Sequence, residues 1–272
     1  MREPLDVQAL REALLTPGSP WRSVDGHTTL DSTNLEAARR PDPWRVVVAD
    51  HQSAGRGRMA RQWEAPPAAS VAVSVVLPMA AAEWGWLPLL TGMAMAQALE
   101  QVAGVPARLK WPNDVLVDGA KICGVLCEMV TAGQDAPGAP GASVPAETLV
   151  VAGAGANVDQ SREELPVDTA TSLRLCGVSG VRREDLLVAH LTALAGLHRA
   201  WTRGGAEMDE LRREYRSRCV TIGSDVEVHQ PSGAVARGRA VAVDDAGRLV
   251  LDGGTGRVAH AAGDVVHVRP PV

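Results

Sequence analysis

The 272-residue sequence predicts an α+β fold, with a sheet-based larger domain over residues 1–217 and a small C-terminal antiparallel β-barrel over 218–272. Three observations carry this. Val-rich and β-branched runs at Arg45–Asp50, Ser70–Leu77 and Leu149–Asn157 read as buried strands. Between and after them, the stretches from Trp86 to Val102 and from about Arg183 to Trp201 repeat apolar residues at helical spacing. From about Arg218 the texture changes to short β runs at even spacing, separated by turn residues, which is the pattern of a small all-β unit.

Taken in order, Val7 to Leu15 carries Leu10, Leu14 and Leu15 on one helical face and stops at Pro17-Gly18. A strand over Arg22–Thr29 leads into Asp31-Ser32-Thr33-Asn34-Leu35-Glu36, where Thr33 and Glu36 stand at capping-box spacing for a helix to about Arg40. Ser32, Thr33 and Asn34 then have two readings: a helix N-terminus and nothing more, or hydroxyls and an amide offered to a small polar ligand. The helix from Trp86 buries Leu89, Met93, Ala96 and Leu99 and ends at Gly104. Asp118-Gly119 between Val115-Leu116-Val117 and Ala120-Lys121-Ile122 predicts a two-residue hairpin, continued as a strand through Met129. Thr131 to Glu147 is rich in Ala, Pro and Gly and reads as a long mobile excursion. Gly153 and Gly155 interrupt the next strand where another backbone or a ligand approaches closely. Ala170–Leu173 lies in a loop, and the helices from about Arg183 and Glu207 carry Leu187, Leu191, Leu194, Leu197 and then Met208, Leu211, Tyr215. The β runs Val226–His229, Ala234–Val243, Arg248–Leu251, Arg257–Ala261 and Val265–Val268 complete the predicted barrel.

An apolar fraction of 46% suffices for a packed core, and a net charge of −5 argues against a protein whose principal partner is nucleic acid. The start lacks the apolar core of a signal peptide, and the most apolar stretch, Ala68 to Ala82, is broken by Ser70, Ser74 and Pro78, so the expectation is a cytoplasmic protein without membrane contact. Cys123, Cys127, Cys176 and Cys219 form no Cys-x-x-Cys pair and read as reduced thiols. Neither His-Glu-x-x-His nor Gly-x-Ser-x-Gly occurs, which removes metalloprotease and serine-hydrolase chemistry.

Against this acidic background, Gly55-Arg56-Gly57-Arg58-Met59-Ala60-Arg61-Gln62-Trp63 concentrates three arginines and an indole at a strand end. Glycines let backbone N–H groups approach an anion, and guanidinium forks match phosphate or carboxylate oxygens. The alternative is a solvated basic loop. No P-loop and no Gly-x-Gly-x-x-Gly is present, so another phosphate chemistry is implied. Lys110, in Arg108-Leu109-Lys110-Trp111-Pro112-Asn113-Asp114, reads locally as a snorkelling surface lysine.

Together and in this order, DSTN at 31–34, GRGRMARQW at 55–63, KWPND at 110–114 with KICGVL at 121–126, and GAGAN at 153–157 closely resemble the biotin protein ligases over nearly the whole chain. The resemblance implies a mixed sheet with helices packed on it, the class II synthetase-like biotin–lipoate ligase fold, followed by the small barrel. It implies activation of biotin by Mg²⁺ and ATP to biotinyl-5′-AMP, then transfer to a lysine of the biotin carboxyl carrier domain of an acyl-CoA carboxylase. By the same resemblance Ser32, Thr33, Asn34 and Gln52 would bind the ureido ring, while Gly55, Arg56 and Arg58 would cradle carboxylate and phosphate. Trp63, Asn113, Asp114 and Asn157 would meet the adenylate, and Lys121, Gly124 and Gly153 would line the biotin pocket. Lys110 and Arg58 would be catalytic, with Asp114 orienting Lys110 or holding Mg²⁺; this overturns the surface reading of Lys110. Many relatives carry Arg-Gly where this chain has Met59-Ala60, which makes the loop less basic and less flexible. The winged helix by which some members repress transcription is not found, so no operator binding is expected. The nearest rival, a lipoate or octanoate ligase, would carry an Arg-Arg-x-Ser-Gly-Gly-Gly run that this sequence lacks; a biotin-sensing module without turnover is a second.

Overall fold

The computed structural model describes residues 2–79, 84–131, 148–254 and 256–268. Its larger sheet contains β1 (Ser23–Leu30), β2 (Arg45–Gln52), β3 (Ser70–Pro78), β4 (Ala107–Lys110), β5 (Asp114–Val117), β6 (Ala120–Thr131) and β7 (Thr148–Asn157), in the order β1-β2-β3-β7-β6-β5-β4. β1 and β2 run parallel, joined through helix α2 (Thr33–Arg39), and every other neighbouring pair is antiparallel, so the sheet is mixed. Residues 132–147, most of the expected excursion, lie outside the described residues.

Burial explains which runs become central strands. β3 is buried from Ser70 to Leu77 because helices cover both faces of the sheet, and its sequence is accordingly a continuous apolar run instead of an alternating one. On one face, α1 (Val7–Leu14), α3 (Trp86–Ala103), α4 (Arg183–Arg203) and α5 (Gly205–Arg218) join the main core, with Leu10, Val73, Leu90, Met93, Leu187 and Leu194 among its buried members. On the other, Ala37 of α2 packs with Val47, Val76, Leu149 and Val151. α3 is apolar nearly all round because it lies between the sheet and α4. Gly104 caps it at φ 67°, and the predicted hairpin forms with Asp118 at φ 48° and Gly119 at φ 77°.

The capping box does not form. Ser32 occupies the N-cap of α2 without a side-chain bond to the helix, and the Glu36 carboxylate reaches Arg45 and Arg39 instead of the helix start. Arg45 is buried and needs that partner, and an unpaired buried guanidinium costs far more than an unmade cap. The polar side chains of 32–34 are therefore free to turn elsewhere.

β8 (Asp225–His229), β9 (Val235–Val243), β10 (Leu249–Asp252), β11 (Arg257–His260) and β12 (Asp264–His267) form a second, antiparallel sheet in the order β11-β10-β9-β8-β12. Among the described residues no ladder closes β11 onto β12, so the expected barrel is a five-stranded sheet in its hydrogen bonding. It is fastened to the larger unit: Trp111 Nε1 donates to Gly247 O at 2.9 Å, Trp86 Nε1 donates to Asp245 O at 2.8 Å, and Val220 N donates to Leu109 O at 2.9 Å.

Candidate active site

Four segments meet at one end of the sheet. β2 ends at Gln52, whose Oε1 accepts from the Thr33 backbone N at 2.8 Å and from Thr33 Oγ1 at 3.1 Å. Both lone pairs of that oxygen are then taken, which turns the two N–H donors of the Gln52 amide outward. Asn34 is set the opposite way. Its Nδ2 donates to Leu126 O at 3.2 Å and Glu128 Oε2 at 2.8 Å, while its Oδ1 lies 2.6 Å from Ser74 Oγ. The site thus offers donors from Gln52 and an acceptor from Asn34, side by side. Ser32, Thr33 and Asn34 are all buried. Gly153 of β7 makes room for them: a Cβ there would stand 1.9 Å from Asn34 Oδ1.

Past Gln52 the glycine-arginine loop folds back on itself, with Trp63 N donating to Gly55 O at 2.9 Å and Gly57 N to Arg61 O at 2.7 Å. The turn of this loop, Arg58–Ala60, holds Met59 at φ 54°, ψ 42°, the left-handed region that glycine occupies at least cost. The Trp63 indole lies against the sheet beside Gly124 of β6 and Gly155 of β7; a Cβ on Gly155 would come within 2.6 Å of the ring. Its Nε1–H is buried without an acceptor, a donor left over for a ligand.

Lys110 ends β4 and pairs in register with Asp114 at the start of β5, across the Trp111–Asn113 turn. Asn113 is anchored to β6 through Val125 in both directions, Nδ2 to Val125 O at 3.1 Å and Val125 N to Asn113 O at 2.9 Å. Its free Oδ1 accepts from Arg58 Nη1 at 3.1 Å. Burial pulls the Lys110 ammonium below its ordinary pKa, with Asp114 opposing and Lys121 adding to the fall. Burial likewise lowers Arg58, with Asp264 and Asp114 opposing. Both cations therefore share Asp114, Asp264 and Arg61 as electrostatic neighbours, although 52 residues of sequence separate positions 58 and 110. Lys121 Nζ bonds Asp114 Oδ1 at 2.6 Å and stands 6.0 Å from the Trp63 ring.

The Asn157 carboxamide is engaged within the chain at both ends. Nδ2 donates to Thr171 O at 2.9 Å and Oδ1 accepts from Gln160 at 2.8 Å, which holds the loop after β7. Three residues of the site escaped sequence reasoning. Ser74 and Glu128 are polar positions inside the apolar middle stretches of their strands, the one signal that marks them. Asp264 belongs to the C-terminal sheet, where its Oδ2 receives Arg61 Nη2 at 2.5 Å, and nothing local in the sequence points to it. A cavity of about 700 Å³ lined by Arg2, Thr28, Thr29, Asp50, Asp159 and Arg174 shares none of the site residues, and its Arg2 is already paired with Asp159 at 2.8 Å.

Fold and site together define a protein of the biotin and lipoate ligase class. Residues 26–139 match the biotin/lipoate A/B protein ligase family and residues 221–268 match the biotin protein ligase C-terminal domain. The chain is 38% identical to biotin–acetyl-CoA-carboxylase ligase of Mycobacterium tuberculosis over 99% of its length and 98% of that protein. It is 31% identical to the bifunctional ligase/repressor BirA of Bacillus subtilis, over 76% of this chain and 61% of that one. Its backbone superposes on the biotin protein ligase of Aquifex aeolicus solved in complex with biotin and ATP, with a TM-score of 0.75 and 24% identity, covering 92% of this chain and 100% of the other. The chain belongs to the biotin protein ligase family.

Proposed function

We propose that this ligase joins biotin to ATP and passes the biotinyl group to a lysine of a biotin carboxyl carrier domain of an acyl-CoA carboxylase. What supports this reading is that Arg58 and Lys110 share Asp114, Asp264 and Arg61 as electrostatic neighbours, together with a Gln52 that presents N–H and an Asn34 that presents C=O. A ureido ring is the complementary shape, a carbonyl flanked by N–H groups, whereas a plain acyl chain would leave those buried polar groups unpaired.

In the first step a biotin carboxylate oxygen attacks the α-phosphorus of ATP, the bond to the β-phosphate oxygen breaks, and pyrophosphate leaves. Two anions must approach one another, so fixed positive charge is the main requirement. In this reading Lys110 bridges carboxylate and α-phosphate, and Arg56 and Arg58 hold the phosphate from the loop side. Asn113 fixes the direction of Arg58. Among the described residues no cluster of three or more His, Cys, Asp or Glu side chains forms a metal site. One carboxylate together with nucleotide phosphates is a usual magnesium donor set, so Asp114 fits an ion that arrives with ATP, whose role is to neutralise phosphate charge. In the second step the carrier lysine amine attacks the biotinyl carbonyl, loses its proton, and AMP departs. Trp63, lying against Gly124 and Gly155, covers the mixed anhydride from water until then.

The reading places the reaction in the cytoplasm; the four cysteines are free thiols. It assigns no operator binding, in keeping with the net charge of −5. The test is the mass of an apo carrier domain after incubation with the protein, biotin and Mg·ATP. One biotinyl group gained on a single lysine supports the function. No gain, or a gain with lipoate in preference to biotin, overturns it.

A further inference from the structure

Glu128 of β6 stands between the two halves of the site. Its Oε2 receives Asn34 Nδ2 at 2.8 Å, and its Oε1 lies 2.9 Å from Arg56 Nη2. An ionised carboxylate accepts and never donates. It therefore forbids the flipped Asn34 amide, which would set oxygen against oxygen at that distance. Leu126 O, also an acceptor, reinforces the choice. The Asn34 Oδ1 that remains has one lone pair toward Ser74 and one for a ligand.

We propose that Glu128 is a positioning residue that fixes the Asn34 carboxamide so that the pocket selects a ring N–H donor, and that it parks Arg56 at the pocket mouth until a substrate anion takes it. The proposal rests on biotin as the substrate. Its two halves differ in strength for a physical reason. Asn34 is buried and its bond to Glu128 is part-buried, whereas the Arg56 side chain is half-exposed and exposed ion pairs are weak. A phosphate or carboxylate oxygen thus draws Arg56 away while Asn34 keeps its orientation. Binding of the acid and ordering of the phosphate-facing arginine become linked through one carboxylate.

The experiment compares biotin with its cyclic carbamate analogue, in which oxygen replaces the ureido N–H, in pyrophosphate exchange. The unmutated protein should prefer biotin by at least about ten-fold, the loss expected when an acceptor meets an acceptor. Glu128→Gln should narrow that preference, since a glutamine amide accepts Asn34 in either orientation and leaves Leu126 O alone to hold it, and should raise the biotin KM more than it lowers kcat. Equal use of the two ligands by the unmutated protein overturns the proposal without any variant. So does a Glu128→Gln protein that keeps full discrimination, or one that loses all substrates alike together with thermal stability. Failure of the unmutated protein to turn over biotin would instead remove the proposed function itself.

Discussion

Arg58 Nη1 donates to Asn113 Oδ1 at 3.1 Å, which joins the glycine-arginine loop to the turn that follows Lys110. Asn113 is itself held to β6 on both sides by Val125. The guanidinium is thereby aimed by the sheet, although the loop that carries it is not part of the sheet. Placing a reacting pair on rigid supports is what lets charge act without reorganisation when the transition state forms.

Lys110→Ala should reduce adenylate formation by a factor on the order of 10²–10³, the usual loss for one preorganised charge contact, while biotin binding changes little. Pyrophosphate exchange and biotin calorimetry on the same preparation separate the two. Normal exchange in that variant would remove Lys110 from the reaction.

Arg58→Gly should release biotinyl-AMP early, since the phosphate loses a clamp and Asn113 loses its partner. Free adenylate acylates any accessible lysine, so bystander proteins in the mixture should gain biotin. A blot showing label confined to the carrier would contradict the assignment.

In the proposed role of bridging two anions Lys110 must be protonated, and burial sets its pKa below the ordinary 10.5. A base with a lowered pKa loses its proton earlier as pH rises, so kcat/KM should fall on the alkaline side before an ordinary lysine would titrate. Bound carboxylate and phosphate favour the charged form, so the corresponding limb of kcat should lie at higher pH. Lys110→Arg should abolish both limbs, whatever its absolute rate.

Gly153→Ala and Gly155→Ala test two different contacts on one strand. The first drives a methyl to 1.9 Å from Asn34 Oδ1 and should raise the biotin KM, by about ten-fold or more if a buried hydrogen bond is lost. The second pushes against the Trp63 ring at 2.6 Å and should act on ATP and on retention of the adenylate instead. Steady-state kinetics that show the same substrate affected in both would refute the division of the pocket.

Asp264→Asn removes the partner of Arg61 and reduces the negative field at Arg58 and Lys110. The Arg61 side chain is mostly exposed, so the pair is worth less than about 1 kcal/mol and global stability should barely change. The KM for ATP should change and its dependence on ionic strength should flatten. A drop in melting temperature with unaltered kinetics would assign Asp264 to structure alone.

Much of this was legible in the chain. β2 and β3 announce themselves because buried strands require unbroken apolar runs, and Asp118-Gly119 because only such residues accept its positive φ angles. The arginine loop and Lys110 are visible through motif resemblance; local context alone reads Lys110 as a surface residue, because its partial burial is a tertiary fact. The capping box at Thr33–Glu36 failed for the same kind of reason: Arg45, nine residues on from Glu36, claimed its carboxylate, and Gln52 claimed Thr33. Glu128 gains its meaning from partners 94 and 72 residues away and Asp264 from one 203 residues away, and no spacing rule reaches that far.

The bond from the Trp111 indole to Gly247 bears on how the molecule could be shortened. Trp111 is adjacent to Lys110 and only 1% exposed, and its ring is sealed by a turn of the second sheet. Cutting the chain ahead of that sheet would bare an indole and orphan its N–H one peptide bond from the reacting ammonium. The C-terminal sheet is thus a wall behind Trp111: a truncated chain would keep Lys110 and the whole arginine loop and still lose the cover over the indole next to that lysine.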